Sequence, residues 1–124
     1  MFHHLALQCD NKEKSLFFYQ ETLGLDLIIS FELSKELTQK IFNLDIAVEV
    51  LVFQNSTVYL EVFNMPRDHE RSCVNIDLMV EDIAEFINLC DQHAIHHYSV
   101  QKGEKTLRFV KDYSENIFEI KQRT

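Results

Sequence analysis

Along residues 4–25, HLALQCDNKEKSLFFYQETLGL, the period of the apolar positions changes once. Leu5, Leu7 and Cys9 alternate with His4, Ala6 and Gln8, the period-two pattern of a strand with one buried face. Asp10 followed by Glu13 then has the spacing of a capped helix start, and Leu16, Tyr19 and Leu23 share one helix face. Gly24 is placed to stop that helix in a left-handed turn. The opening reads as strand, helix, stop.

The run LDLIISFEL (25–33) is a second strand pattern, continuously apolar in its middle. Residues 34–44 hold Leu37, Ile41 and Leu44 at helical spacing, which predicts a short helix. VEVLVF (48–53) and TVYLEVF (57–63) follow as a hairpin around Gln54–Ser56, a turn without glycine. Met65–Ser72, MPRDHERS, contains the sole proline and reads as a linker.

After Ser72 the pattern returns. Asn75 falls on His4, Ile76 on Leu5, Leu78 on Leu7, Val80 on Cys9, and Glu81–Asp82 on Asp10–Asn11. Asp82 with Glu85 repeats the helix cap, and Ile83, Phe86, Ile87 and Cys90 form one apolar helix stripe. Phe109-Val110 matches Leu51-Val52, and Phe118-Glu119-Ile120 matches Leu60-Glu61-Val62. The second copy has no counterpart of the 34–44 helix, and its poorest strand signal lies at His96–Gln101. The chain is therefore expected to be one α+β domain built from a module at 1–64, a linker at 65–72 and a module at 73–124. Each module reads strand-helix-strand-strand-strand.

Composition narrows the possible partners. With 20 acidic and 12 basic residues, the net charge is −8, which argues against nucleic acid or an anionic membrane surface. No apolar run reaches membrane-spanning length, and the opening residues lack an apolar segment behind a basic tip, so no secretion signal is expected. Cys9, Cys73 and Cys90 are odd in number and lack metal-type spacing. A reduced, cytoplasmic protein is expected.

The candidate chemistry follows from strand alternation. Leu60 and Val62 flank Glu61, and Phe118 and Ile120 flank Glu119, so both carboxylates point away from the helices. His4 and Asn75 come out on the same face. A histidine with two carboxylates is a suitable ligand set for Ni²⁺, Mn²⁺, Fe²⁺ or Zn²⁺, with Asn75 a weaker, neutral donor. Phe53, Tyr59, Phe63, Met79 and Ile117 are predicted to line a pocket on this concave side, with Asp77 and Cys73 beside Asn75. His69, His93, His96 and His97 have no metal-type spacing and read as surface residues.

HLALQCDNKEKSLFFYQETLGL and VNIDLMVEDIAEF, with YLEVF and NIFEI closing the two halves, resemble the vicinal oxygen chelate superfamily over essentially the whole chain. That superfamily includes glyoxalase I, extradiol dioxygenases, methylmalonyl-CoA epimerase, and the fosfomycin and bleomycin resistance proteins. The resemblance implies paired βαβββ modules forming an incomplete barrel around a small-molecule site, usually in a homodimer. It implies metal ligands at His4, Glu61, Asn75 and Glu119, although glyoxalase-like members normally have histidine at the third position. One expectation is a metal-dependent lyase or isomerase of the glyoxalase type, acting through an enediolate, with Glu119 or Glu61 moving the proton. The alternative is a metal-free, bleomycin-resistance-like protein that sequesters a small ligand. A dioxygenase needs two histidines, and the four positions hold one.

Overall fold

A computed structural model describes residues 4–66 and 76–123. The first copy runs β1 (Leu5–Cys9), α1 (Lys12–Leu16) with a π-helical continuation (Phe17–Thr22), β2 (Asp26–Leu33), α2 (Lys35–Phe42), β3 (Val48–Gln54) and β4 (Tyr59–Asn64). The second runs β5 (Ile76–Val80), α3 (Ile83–Gln92), β6 (His97–Lys102), β7 (Lys105–Lys111) and β8 (Ile117–Gln122). Each copy forms its own open four-stranded sheet, ordered β1-β4-β3-β2 and β5-β8-β7-β6. In both, the first strand lies parallel to the last and the other pairs are antiparallel. The chain divides into two compact units, Met1–Asp68 and His69–Thr124. Residues 67–72 of the expected linker, with Cys73 and Asn75, lie outside the described residues. Met65 belongs to the first unit: its N–H bonds the Cys9 carbonyl and its side chain is buried.

Local chemistry explains the element ends. The cap of α1 is Asn11, not Asp10: its side chain accepts from the Lys14 N–H. Asp82, its counterpart in the second copy, accepts from Glu85 N–H as the spacing predicts. After Leu16 the first helix widens, with Leu23 N–H reaching back five residues to the Phe18 carbonyl. The buried residues are consequently Ser15, Phe18, Tyr19 and Thr22, so that of the predicted stripe Leu16, Tyr19 and Leu23 only Tyr19 is fully buried. Gly24 takes φ 71°, the left-handed turn expected of it. Asn55 shapes the glycine-free hairpin turn, its side-chain oxygen accepting from Thr57 and Val58 N–H.

In two places burial does not follow the apolar positions. On α2 the apolar residues Leu37 and Ile41 face outward, and Thr38 is the buried one. Its hydroxyl, with one proton to donate, lies within hydrogen-bonding distance of the Ser34, Lys35 and Ile46 carbonyls, the last in the segment that follows the helix. The apolar run of β2, an edge strand, is exposed from Asp26 to Glu32. The sheet packs instead through β3 and β4 against the first helix, with Phe18, Tyr19, Phe53, Leu51 and Val62 fully buried.

Strand register shows how far the two copies correspond. Leu5 stands opposite Leu60 and Ile76 opposite Phe118, so the first and last strands match as the sequence repeat predicts. The third strands do not. Glu61 is paired with Val52 but Glu119 with Phe109, so Phe109 corresponds to Val52 rather than to Leu51. That one-residue difference moves Phe109 onto the face that carries Glu119.

Candidate functional site

In the first unit, His4 immediately precedes β1 and Glu61 lies in β4, opposite Ala6. Alanine leaves room above the sheet, and His4 Nε2 comes within 2.9 Å of Glu61 Oε1. The imidazole N–H donates to the carboxylate. Tyr59 lies beside it, its ring centroid 5.5 Å from that of His4. The floor is apolar: Val50 and Val52 are buried on this face, Val52 directly opposite Glu61. With its side chain only 16% exposed, Glu61 depends on a polar partner to offset lost hydration. Phe63 is on the same face. It lines a cavity of about 370 Å³ with Ala6, Gln8, Leu44, Val48 and Met65, further along the strands from His4.

In the second unit, Glu119 stands on β8 directly opposite Asp77 on β5. Lys121, two residues along β8, places Nζ 2.8 Å from Asp77 Oδ2 and 3.4 Å from Glu119 Oε2. Hydrogen bonds and charge attraction from the two carboxylates, Asp77 foremost, raise the Lys121 pKa, so the ammonium is retained. Across the sheet from Glu119 come Phe109 and then Tyr98, stacked at 5.2 Å with an interplanar angle of 19°. Lys111 Nζ lies 5.9 Å over the Tyr98 ring. A cavity of about 230 Å³ is lined in part by Glu119, Lys121, Leu107, Arg108 and Gln122.

The structure thus brings His4, Glu61 and Tyr59 together in one unit, and Asp77 and Glu119 in the other. Met79, opposite Lys121, is 62% exposed, and Ile117, opposite Lys111, is half-buried. Asn75 lies outside the described residues, as does His69. Phe53 is not a pocket residue. It pairs with Leu60, faces the helix side, and packs against Tyr19 with ring centroids 5.2 Å apart. The sequence reading missed Lys121, Phe109 and Tyr98. Lys121 was within reach of period-two logic, since it follows Glu119 by two positions.

The donor chemistry fits a divalent cation in part. Ligands bound at right angles about 2.1 Å from one cation lie about 3 Å apart, the separation between His4 Nε2 and Glu61 Oε1. Among the described residues, no three His, Cys, Asp or Glu side chains stand close enough together to hold a metal ion. Glu119 is already engaged by an ammonium.

No sequence-family model matches the chain, and no curated protein matches it by sequence. Solved structures do match. The fosfomycin resistance protein FosX from Listeria monocytogenes, crystallised with Mn(II) and sulfate, matches with a TM-score of 0.73 at 17% identity, over 100% of this chain and 93% of that one. A mutant of the same protein was crystallised with Mn(II) and a dihydroxypropylphosphonic acid. A glyoxalase family protein from Enterococcus faecalis gives 0.73 at 18% identity, over 97% of this chain and 95% of that one. FosX from Mesorhizobium loti gives 0.71 at 10% identity, over 100% and 92%. Likeness at such identities speaks for architecture. The chain has the α+β, paired-βαβββ fold of the glyoxalases and fosfomycin resistance proteins, the fold of the vicinal oxygen chelate superfamily.

Proposed function

We propose that this protein is a divalent-metal-dependent lyase or isomerase acting on a small molecule with adjacent oxygen atoms. His4, Glu61 and Glu119 are its metal ligands and Asn75 a weak fourth position. The observation that carries this reading is the His4–Glu61 pair, an imidazole and a carboxylate 2.9 Å apart above an apolar floor. The Mn(II) found in FosX, a protein of the same fold, supports it.

A bound divalent cation would supply Lewis acidity toward the substrate's oxygens. The chain's own groups do the rest. Glu119 takes the proton from the carbon next to the carbonyl and returns it, a general-base role. Glu61, 2.9 Å from His4 Nε2, is assigned as a ligand beside the imidazole rather than as the base. Tyr59 and Phe63 offer apolar contact for the substrate's carbon skeleton. The net charge of −8 speaks against nucleic acid and anionic membrane partners, and three cysteines without metal-type spacing fit a reduced, cytoplasmic setting. Self-association is part of the proposal. The edge strand β2 exposes Ile28, Ile29 and Phe31, and α2 exposes Leu37 and Ile41, apolar surface that a second copy would cover.

The test is metal analysis of untagged protein, followed by titration with Mn²⁺, Ni²⁺ and Zn²⁺ and turnover of a 2-oxoaldehyde hemithioacetal and of fosfomycin. The reading requires saturable metal uptake that Glu61→Gln weakens and turnover that Glu119→Gln abolishes. No uptake by wild type and variants alike would defeat it. A second reading rests on Lys121: a metal-free protein that binds a small ligand, with the ammonium beside Glu119. Ligand-induced stabilisation without added metal would favour that reading.

A further inference from the structure

We infer that the cavity of about 370 Å³ in the first unit is a binding pocket for the neutral, apolar part of a small ligand. That part is an aryl or branched alkyl group, joined by one or two carbons to a polar end that lies at the His4–Glu61 pair. The inference deepens the reading above by naming the ligand class, and rests on it only for where the polar end lies. It needs no metal ion and no residue of the second unit.

Strand register gives the pocket its place. Ala6, Glu61 and Val52 stand in one row across β1, β4 and β3, and Gln8, Phe63 and Val50 stand in the next row on the same face. Such rows are two residues, about 7 Å, apart. Ala6 also lines the cavity, together with Gln8, Leu44, Val48, Phe63 and Met65. The cavity therefore begins beside Glu61 and runs along the strands away from His4.

The walls decide what can enter. Val48, Val50, Val52 and Met65 form a buried apolar cluster on the face that carries Glu61. Among the described residues, those that line the cavity carry no charge. Gln8 contributes a neutral amide, and its Nε2 donates to Met65 Sδ at 3.5 Å. A charged group entering here would lose hydration without gaining a counter-charge, whereas an apolar group gains by leaving water. The Phe63 ring and the Met65 thioether both favour aromatic contact. An apolar cavity of about 150 Å³ takes benzene, so this one has room for a substituted ring. In the second unit Lys121 and Met79 stand where the first has Phe63 and Gln8. An ammonium replaces an aromatic ring there, and the pocket belongs to the first copy alone.

The experiment titrates metal-stripped protein, labelled with carbon-13 in its Leu, Val and Met methyl groups, with 3-phenyl-1,2-propanediol and with 1,2-propanediol. The phenyl compound should bind about tenfold or more tightly than the other and should shift the methyl signals of Leu44, Val48 and Met65. A carboxylate added to the ring should remove that advantage. Leu44→Trp, which fills the cavity, and Gln8→Trp, which covers its mouth from an exposed position, should each bring the two affinities together at unchanged circular dichroism. Glu61→Gln should weaken both diols alike. Equal wild-type affinity for the two diols, or methyl shifts that bypass Leu44, Val48 and Met65, would overturn the inference. So would a phenyl advantage kept in both folded cavity variants, or affinities untouched by Glu61→Gln. Cavity shifts in a protein that takes up no Mn²⁺ would uphold the inference and defeat the metal reading. Mn²⁺ uptake without cavity shifts would do the reverse.

Discussion

Asp77 and Glu119 face each other across the β5–β8 ladder, where the first unit has Ala6 opposite Glu61. The same fold position is thus a gap in one copy and a second carboxylate in the other. His4 uses the gap to reach Glu61, whereas Lys121 answers the second carboxylate. Lys121→Met should lower the thermal midpoint slightly, since it leaves the two like charges facing each other. Adding Asp77→Asn should restore it. Calorimetric melting of the two variants checks this, and a double variant no more stable than Lys121→Met would show that the repulsion is unimportant.

Phe53 belongs to the helix-side core, against Tyr19. Phe53→Ala should cost about 3–5 kcal/mol of stability, as for other fully buried aromatic side chains. Tyr59→Ala, at a half-buried position on the opposite face, should cost much less and act on ligand binding instead. Urea unfolding of both, followed by circular dichroism, separates the two roles.

At Gly24 the backbone φ is 71°, and an added Cβ would meet nothing within 4 Å. The only penalty for Gly24→Ala is therefore conformational, about 1–2 kcal/mol. Gly24→Asn should cost less, because asparagine tolerates the left-handed region better. Equal stability of the wild type and Gly24→Ala would mean that the turn adopts another conformation in solution.

Cys90 is fully buried, and burial, helped by the Asp91 carboxylate, pushes its thiol from 9.0 up to about 11. The unfolded chain therefore gives up this proton at lower pH than the folded chain. The stability contributed by the neutral thiol is intact below about pH 9 and is lost as pH rises toward 11. Cys90→Ala should flatten the alkaline limb of a stability–pH profile. Alkylation mapped by mass spectrometry at pH 8 should label Cys90 only after denaturation.

Much of the architecture was legible because it rests on local patterns that occur twice. The alternation in Leu5–Cys9 and the stripe of Phe86 and Cys90 each bury what their period predicts. The duplicated Leu-Glu-Val and Phe-Glu-Ile triplets fall in matching registers. What escaped depends on facts that period does not encode. The π-helical widening after Leu16 moved the buried stripe. The exposure of Leu37 and Ile41 reflects what does and does not pack against α2, and apolar spacing is silent on that. Phe53 was assigned to the wrong face because β3 is buried on both sides, so alternation leaves no signature there. On β7, a match by residue type hid the register that puts Phe109 beside Glu119. Asn75, the remaining candidate ligand, lies outside the described residues. For the candidate site, the sequence identified the carboxylates and the histidine but not the lysine between Asp77 and Glu119.

The most direct test of the metal reading is the stoichiometry of Mn²⁺ binding in wild type, His4→Ala, Glu61→Gln and Glu119→Gln, measured by calorimetry on metal-stripped protein. The metal reading predicts one Mn²⁺ per chain in wild type and binding weakened about tenfold or more by each substitution. Unchanged affinity in Glu119→Gln, with binding lost in His4→Ala and Glu61→Gln, would contradict it, by confining the ion to the first unit.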